Sequence, residues 1–219
     1  MTTLAIVGAG PGVGAAVARR FGAEGFDVAL ISRNQAKLDA LAAELGEEGV
    51  TARGYAADVL EPASLNTALN AAAAELGPIA VLQYSPSVDR RYLKPVLETT
   101  AEDLHAALSF SVLGASTAVH AVLGGMRALG RGTLIFVNGG TAVRPRTDFA
   151  GTSVAFAAES AYTQTLHEAL ARESIYVRQL IVPGGISVDD PVTNPTAIAE
   201  RIWGLHATRG EFREFHTPL

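Results

Sequence analysis

The stretch Leu4–Phe21, LAIVGAGPGVGAAVARRF, joins a short apolar strand to an alanine-rich helix through a loop with four glycines. A glycine at the end of a strand permits a tight turn, and a glycine deeper in the loop lets the backbone come close to a bound phosphate. The beginning of the next helix adds unpaired N–H groups and a partial positive charge, which favour an anion. A glycine-rich turn without a ligand is the alternative, but the order of strand, loop and helix favours a pyrophosphate site. The predicted contact residues are Gly8, Gly10, Pro11, Gly12, Val13 and Gly14.

The rest of the chain alternates short apolar segments with longer helical ones, which is typical of a parallel sheet with crossover helices. Strands are predicted at Leu4–Val7, Asp27–Ile31, Thr51–Tyr55, Ile79–Gln83, Thr133–Val137 and Tyr176–Ile181, with a last short strand at Phe212–Phe215. Helices are predicted at Gly12–Gly22, Asn34–Leu45, Pro62–Leu76, Ala101–Leu129, Thr152–Glu173 and Pro195–His206. This order predicts an α/β, doubly wound Rossmann fold, with a mostly parallel sheet of six or seven strands and helices on both faces.

The composition limits the class of protein and partner. The 219 residues fit one domain, residues 1–219, and their formal net charge of −5 argues against nucleic acid or an anionic membrane surface as partner. The absence of cysteine excludes disulfides and thiol catalysis, and the histidines of the predicted helices lack metal-like spacing, so no metal site is expected. The first residues carry no basic segment before the apolar run, so we expect no signal peptide, no membrane span and a cytoplasmic location.

Four segments resemble the short-chain dehydrogenase/reductase (SDR) family. The spacing of Gly8, Gly12 and Gly14 is similar to that of the family's cofactor loop, and Ala57-Asp58-Val59 resembles its adenine-contacting segment. The segment 82–87 stands where the family has Asn-Asn-Ala-Gly, and 183–187 resembles the turn beside the nicotinamide. The resemblance implies a nicotinamide dinucleotide as ligand. It adds to the loop the contact residues Asp58, Val59, Tyr84, Ser85, Pro86, Pro183, Gly184, Ile186 and Ser187.

The residues Ser32-Arg33-Asn34, after the second predicted strand, indicate which dinucleotide is bound. An acidic residue at this point binds a ribose 2′-hydroxyl, whereas an arginine accepts a 2′-phosphate. Here the acidic position holds Ser32, and Arg33 offers a guanidinium that can bind a phosphate with two hydrogen bonds. The pattern therefore favours NADP (NADPH) over NAD. The alternative is an ordinary exposed arginine beside a helix cap.

The resemblance also identifies four positions where the family carries catalytic Asn, Ser, Tyr and Lys. In this sequence they hold Ser111, Gly139, Thr152 and Phe156. A threonine hydroxyl is far too weak an acid to replace a tuned tyrosine, and phenylalanine supplies neither charge nor a hydrogen bond. No catalytic residue is therefore assigned.

Three replacements for the missing proton donor stay open. Tyr84 is the best of them if its hydroxyl faces the nicotinamide, the alternative being an aromatic ring that only lines the pocket. The others are Asn138 acting with water and a group carried by the substrate. The segment after Ser187 is short and acidic, which predicts a reduced lid and an open pocket.

Two hypotheses of function follow. The first is an NADP(H)-binding protein without the family's usual catalysis, serving as a sensor, a regulator or a partner, with a possible small-molecule ligand. The alternative is an NADPH-dependent carbonyl reductase with another proton donor. An inert structural domain is disfavoured by the intact glycine loop.

The resemblance further implies a homodimer or homotetramer formed through the long helices Ala101–Leu129 and Thr152–Glu173. Small residues on both helices permit a close approach across a two-fold axis. The alternative is that they only pack on the sheet. These residues are Ala106, Ala107, Ser109, Ala155, Ala157, Ala158 and Ala161.

Overall fold

The computed structural model describes residues 2–219, and its strands form one parallel sheet. The strands are β1 (Thr2–Val7), β2 (Phe26–Ser32), β3 (Ala52–Ala56), β4 (Ile79–Tyr84), β5 (Gly132–Gly139), β6 (Ile175–Val182) and β7 (Arg213–Phe215). The helices are α1 (Val13–Gly22), α2 (Gln35–Glu47), α3 (Pro62–Leu76), α4 (Ala101–Leu108), α5 (Gly114–Leu129), α6 (Ala150–Leu170) and α7 (Pro195–Ala207). The strand order is β3-β2-β1-β4-β5-β6-β7, and each neighbouring pair is parallel.

The two faces of the sheet carry separate hydrophobic cores. On β1, Leu4 and Ile6 pack in the core with residues of α1, α2 and α7, whereas Ala5 and Val7 pack in the core with α3 and α5. A strand that is buried on both faces is apolar at nearly every position, which explains the continuous apolar runs of the sequence. The predicted doubly wound fold is confirmed, with seven strands.

The prediction of one helix at Ala101–Leu129 is wrong in one respect, because this stretch is not a continuous α-helix. A π-helical turn, Ser109–Leu113, separates α4 from α5. This 29-residue run is the one helical stretch within residues 2–219 that is long and apolar enough to cross a membrane by length and composition. Here the buried side of α5 packs in the core on one face of the sheet. The predicted helix Thr152–Glu173 is also shifted, since α6 runs from Ala150 to Leu170.

A crevice opens where the strand order reverses. β1 lies between β2 and β4, so the chain winds outward from β1 in both directions. In such sheets ligands bind at the carboxyl ends of the strands beside this switch point. The glycine turn after β1 and the loops after β2, β3, β4, β5 and β6 all lie at that edge.

Candidate functional site

The turn after β1 is built around Gly8, whose φ of +101° is one that other residues rarely adopt. Its N–H donates to the carbonyl of Ile31 on β2 at 2.9 Å, and a β-carbon here would lie 2.3 Å from the carbonyl oxygen of Ser85. Neighbouring backbone therefore excludes any side chain at this position. β-Carbons on Gly10 and Gly12 would instead meet no atom within 4 Å. The loop thus offers an open backbone surface at the beginning of α1.

A cleft, called the first cleft below, extends from this turn past the ends of β2 and β3. It brings together six of the residues predicted from the sequence: Gly8, Ser32, Arg33, Asp58, Val59 and Pro86. The other lining residues are Ala9, Ile31, Ala57, Leu60, Ser87, Asp89, Arg91, Tyr92 and Phe110. The first cleft is thus lined by both apolar and polar residues, as is usual for a small-molecule site.

The guanidinium of Arg33 lies at the rim of the first cleft. Arg33 is exposed and forms no ion pair with any residue in 2–219. The neighbouring residue Asn34 caps α2 instead, because its side-chain oxygen accepts a hydrogen bond from the N–H of Lys37 at 3.0 Å. A charge at the rim without an ionic partner suits an anionic ligand group.

Arg91 is a second cation on the first cleft, and sequence reasoning missed it. Its Nη2 donates to the hydroxyl of Tyr92 at 2.9 Å, and its guanidinium lies 4.9 Å from the centre of that ring. Asp89 forms an ion pair with it at 3.7 Å. In the sequence, the segment that carries these residues shows neither helical nor strand periodicity. The one indication of a role in binding was that it follows a predicted strand.

A second cleft lies beyond the ends of β5 and β6. Pro183 and Gly184 of the predicted nicotinamide turn line it, together with Thr152 and Phe156 at the positions of the family's Tyr and Lys. The remaining lining residues are Val88, Leu93, Gly139, Gly140, Thr141, Arg144, Arg146, Phe149, Gly185 and Leu219. The second cleft thus joins the predicted nicotinamide turn to three of the four positions of the missing catalytic residues.

The remaining predicted contact residues lie elsewhere around the crevice. Pro11 and Gly12 face a groove between the beginnings of α1 and α7, and Ile186 and Ser187 are exposed after the nicotinamide turn. Gly10, Val13, Gly14 and Ser85 belong to the glycine turn and the strand end beside it and do not line the first cleft.

The second cleft offers little acid–base chemistry. Thr152 is 4% exposed, and its hydroxyl donates to the carbonyl of Phe149 at 3.3 Å. Phe156 presents a ring that lies 3.8 Å from where a β-carbon on Gly139 would stand. Within residues 2–219, the ionisable side chains that line this cleft belong to Arg144 and Arg146. A guanidinium stays protonated in proteins and donates no proton at neutral pH.

The structure contradicts the prediction that Tyr84 faces the nicotinamide and touches the cofactor. The ring is 1% exposed, and its hydroxyl donates to the carbonyl of Phe110 in the π-helical turn at 2.6 Å. Burial raises the pKa of the Tyr84 hydroxyl well above its usual range. The side chain lies in the core with Leu82, because residues two apart on a strand share a face. Tyr84 is therefore neither a proton donor nor a lining residue of either cleft.

Asn138 also fails as a proton donor. Its amide nitrogen donates to a carboxylate oxygen of Glu159 at 3.0 Å, and its carbonyl oxygen accepts from Gln179 at 2.8 Å. The residue is 3% exposed. Both ends of this side chain are thus occupied within the protein, and Asn138 does not line the second cleft.

Glu159 is a buried carboxyl that sequence reasoning missed. It is 1% exposed on the inward face of α6, where it accepts from Asn138 and from the hydroxyl of Ser111. Burial raises the pKa of the Glu159 carboxyl to about 7, although both hydrogen bonds act in the opposite direction. The spacing of Thr152, Phe156 and Glu159 places all three on one side of the helix, which was the signal in the sequence.

Comparisons with known proteins identify a family. A family model described as short chain dehydrogenase matches residues 2–195. The D-threitol dehydrogenase of Mycolicibacterium smegmatis is 35% identical over 130 residues, which cover 59% of this chain and 49% of that protein. The chain therefore spans about half the length of that relative.

Solved structures show the same fold. A short-chain dehydrogenase from Rhodopseudomonas palustris superposes with a TM-score of 0.87 at 27% identity, covering 100% of this chain and 99% of that one. A metagenomic short-chain oxidoreductase in complex with NADP superposes with a TM-score of 0.82 at 23% identity, covering 97% and 96%. At the latter identity the likeness concerns the fold alone.

Proposed function

Because the chain belongs to the short-chain dehydrogenase family, we propose that it binds NADP(H) but does not carry out the family's usual carbonyl reduction. The observation that carries this proposal is the floor of the second cleft. Thr152 and Phe156 stand there at the positions of the family's Tyr and Lys, and no lining residue within 2–219 is a titratable acid or base of suitable strength. We propose a sensor, a regulator or a partner of an active homologue.

The glycine turn and the first cleft support the binding half of the proposal. The unobstructed backbone at Gly10 and Gly12 leaves room for a pyrophosphate at the beginning of α1. Asp58, Val59 and Arg33 line the same cleft, and this supports a role for the first two beside adenine and for Arg33 beside a 2′-phosphate. A protein of the same fold, the metagenomic short-chain oxidoreductase, was solved in complex with NADP, and this supports the binding of a nicotinamide dinucleotide.

A bound nicotinamide supplies a hydride donor or acceptor, so the missing chemistry concerns the proton. General acid catalysis typically contributes about 10²–10⁴-fold, and hydrogen bonds to a developing oxyanion contribute a comparable factor. Thr152 holds its proton too tightly for this task, and Phe156 cannot lower the pKa of a neighbour. We therefore expect turnover of added carbonyl compounds near background.

The alternative function is an NADPH-dependent carbonyl reductase with another proton donor. The open second cleft beside Pro183 and Gly184 favours a small-molecule ligand and keeps this alternative in view. With Tyr84 and Asn138 committed to internal hydrogen bonds, the proton would come from a group of the substrate.

Two measurements on the full chain test the proposal. Calorimetric titration with NADPH measures binding, and a panel of aldehydes, ketones and alcohols, followed at the nicotinamide absorbance, measures turnover. We expect saturable NADPH binding without turnover. Robust turnover would establish the carbonyl reductase alternative. A protein that binds neither NADPH nor NADH would refute the proposal that the chain binds a nicotinamide dinucleotide.

A further inference from the structure

The second cleft combines apolar walls with an excess of positive charge. Phe149, Phe156, Val88 and Leu93 provide apolar surface along it. The charges come from Arg144 and Arg146, in the loop between β5 and α6. The chain as a whole carries a net charge of −5, so this concentration of positive charge differs from the average surface.

The two arginines are held at the cleft by their backbones. The N–H of Arg144 donates to the carbonyl of Gly140 at 2.9 Å. The N–H of Arg146 donates to the hydroxyl of Ser153 on α6 at 3.0 Å, and that hydroxyl donates back to the carbonyl of Arg146 at 3.3 Å. The loop therefore presents both side chains from fixed attachment points.

The guanidinium groups themselves have no ionic partner. Neither Arg144 nor Arg146 forms an ion pair with any residue in 2–219, although the exposed Asp148 lies in the same loop. The guanidinium carbon of Arg146 lies 4.9 Å from the centre of the Phe149 ring. Stacking on an aromatic face orients a guanidinium and leaves its N–H donors at the edge for an acceptor.

We propose that the second cleft binds a small organic acid, with its apolar body between Phe149 and Phe156 and its carboxylate on Arg144 and Arg146. This inference rests on the proposed function, because it names the class of ligand that is bound beside the cofactor. A carboxylate is the group that a guanidinium pairs with by two parallel hydrogen bonds. A neutral ligand of the same shape would form no ion pair with the two arginines.

The test compares acids with their uncharged counterparts. Benzoate, 3-phenylpropionate and octanoate are each titrated by calorimetry against the full chain, beside benzamide, 3-phenylpropionamide and octanamide, with and without saturating NADPH. We expect at least one acid to bind about tenfold or more tightly than its amide. Equal binding of every acid and its amide, or binding of none of the acids, overturns the proposal.

Variants assign the charge to the two residues. The double variant Arg144→Gln with Arg146→Gln should lose the preference for the acid and keep its affinity for NADPH. The matched control is Arg131→Gln with Arg172→Gln, which removes two exposed arginines near the amino ends of β5 and β6, at the opposite edge of the sheet. This control should keep the preference. Retention of the preference in the Arg144 and Arg146 variant contradicts the inference.

The NADPH titration of the same samples separates the two proposals. If the wild-type protein does not bind NADPH, the proposed function is refuted. Binding of the acids is measured independently, in the samples without cofactor. If the Arg144 and Arg146 variant loses NADPH affinity instead of acid preference, the two arginines serve the cofactor, and the inference fails.

Discussion

The hydroxyl of Tyr84 donates a hydrogen bond of 2.6 Å to the carbonyl of Phe110, within the π-helical turn that separates α4 from α5. A π turn disturbs the regular ladder of helix hydrogen bonds, so its carbonyls accept from other partners. Gly114 makes room for this contact, because a β-carbon there would lie 2.3 Å from the tyrosine oxygen. A residue that the sequence suggested for chemistry thus stabilises the helix beside the site.

Replacing Gly114 with alanine should therefore destabilise the protein. The added β-carbon would also stand 3.0 Å from the carbonyl of Val59, and we expect a loss of about 1–3 kcal/mol in urea unfolding. The control is Gly124→Ala on the same helix, where a β-carbon meets nothing within 4 Å. That change should stabilise by up to about 1 kcal/mol, since alanine favours helix. Equal effects of both variants would show that the Tyr84 contact does not matter.

Replacing Tyr84 with phenylalanine should cost about 1–3 kcal/mol in stability, because the buried carbonyl of Phe110 loses its donor. NADPH affinity should not change, since the ring lines neither cleft. Tyr176→Phe is the control, because Tyr176 is half-buried at the far end of β6. A reductase activity that disappears with Tyr84→Phe would restore Tyr84 as a proton donor.

Arg33 should give the preference for NADPH over NADH. We expect Arg33→Ala to weaken NADPH binding by about 1.5–3 kcal/mol and to leave NADH binding nearly unchanged, because only NADPH carries the 2′-phosphate. Ser32→Asp should reverse the preference by placing a carboxylate where the phosphate would be. Calorimetry with both cofactors measures this. Equal affinities of the wild type for both would contradict the assignment.

The buried carboxyl of Glu159 should make stability depend on pH. Its pKa is about 7 in the folded protein against 4.5 as the ordinary value, so the folded state holds the proton more tightly. The free energy of unfolding should therefore fall as pH rises from about 4.5 to about 7, and then level off. The free energy of unfolding of Glu159→Gln, measured relative to that of the wild type, should therefore rise by about 2 kcal/mol between pH 5.5 and pH 8.

Urea unfolding of both proteins at several pH values measures this difference. The matched control is Glu168→Gln, an exposed carboxyl on the same helix. This control removes a carboxyl from α6 without touching the buried hydrogen bonds of Glu159 to Ser111 and Asn138. A difference between Glu159→Gln and the wild type that does not change with pH would show that the burial of Glu159 carries no such cost.

Restoring the family's residues should produce weak reductase activity. We expect Thr152→Tyr with Phe156→Lys to reduce carbonyl compounds with NADPH, whereas either change alone should do little, since the tyrosine needs the lysine cation for its acidity. Glu159 lies three residues beyond position 156, on the same side of α6, and would attract the new ammonium group. Adding Glu159→Gln should therefore raise the activity further. Activity no higher in the triple variant than in the double would argue against that competition.

The glycine turn, the doubly wound sheet and the clustering of Gly8, Ser32, Arg33, Asp58 and Val59 were all predictable from the sequence. Each rests on local information. A strand buried on both faces reads as an apolar run, and a tight turn with positive φ requires glycine. Parallel strands with helical crossovers then bring the loops after them to one edge of the sheet.

Only the tertiary structure decided where side chains at the edge of the site point. Tyr84 and Asn138 lie near the carboxyl ends of β4 and β5, beside the crevice. Hydrogen bonds to Phe110 and to Glu159, respectively, nevertheless hold their side chains in the interior. Their partners come from other elements of the chain, 26 and 21 residues away.

The same holds for the residues that the sequence did not single out. Arg144 and Arg146 join Phe156 in one cleft because α6 returns against the end of β5, and Glu159 meets Ser111 because α6 packs beside the π-helical turn. The spacing of apolar residues along the chain predicts which face of a helix or strand is buried, because that spacing is a local property of the sequence. The partner of a buried polar group depends on which elements pack together, and that is settled only when the whole chain folds.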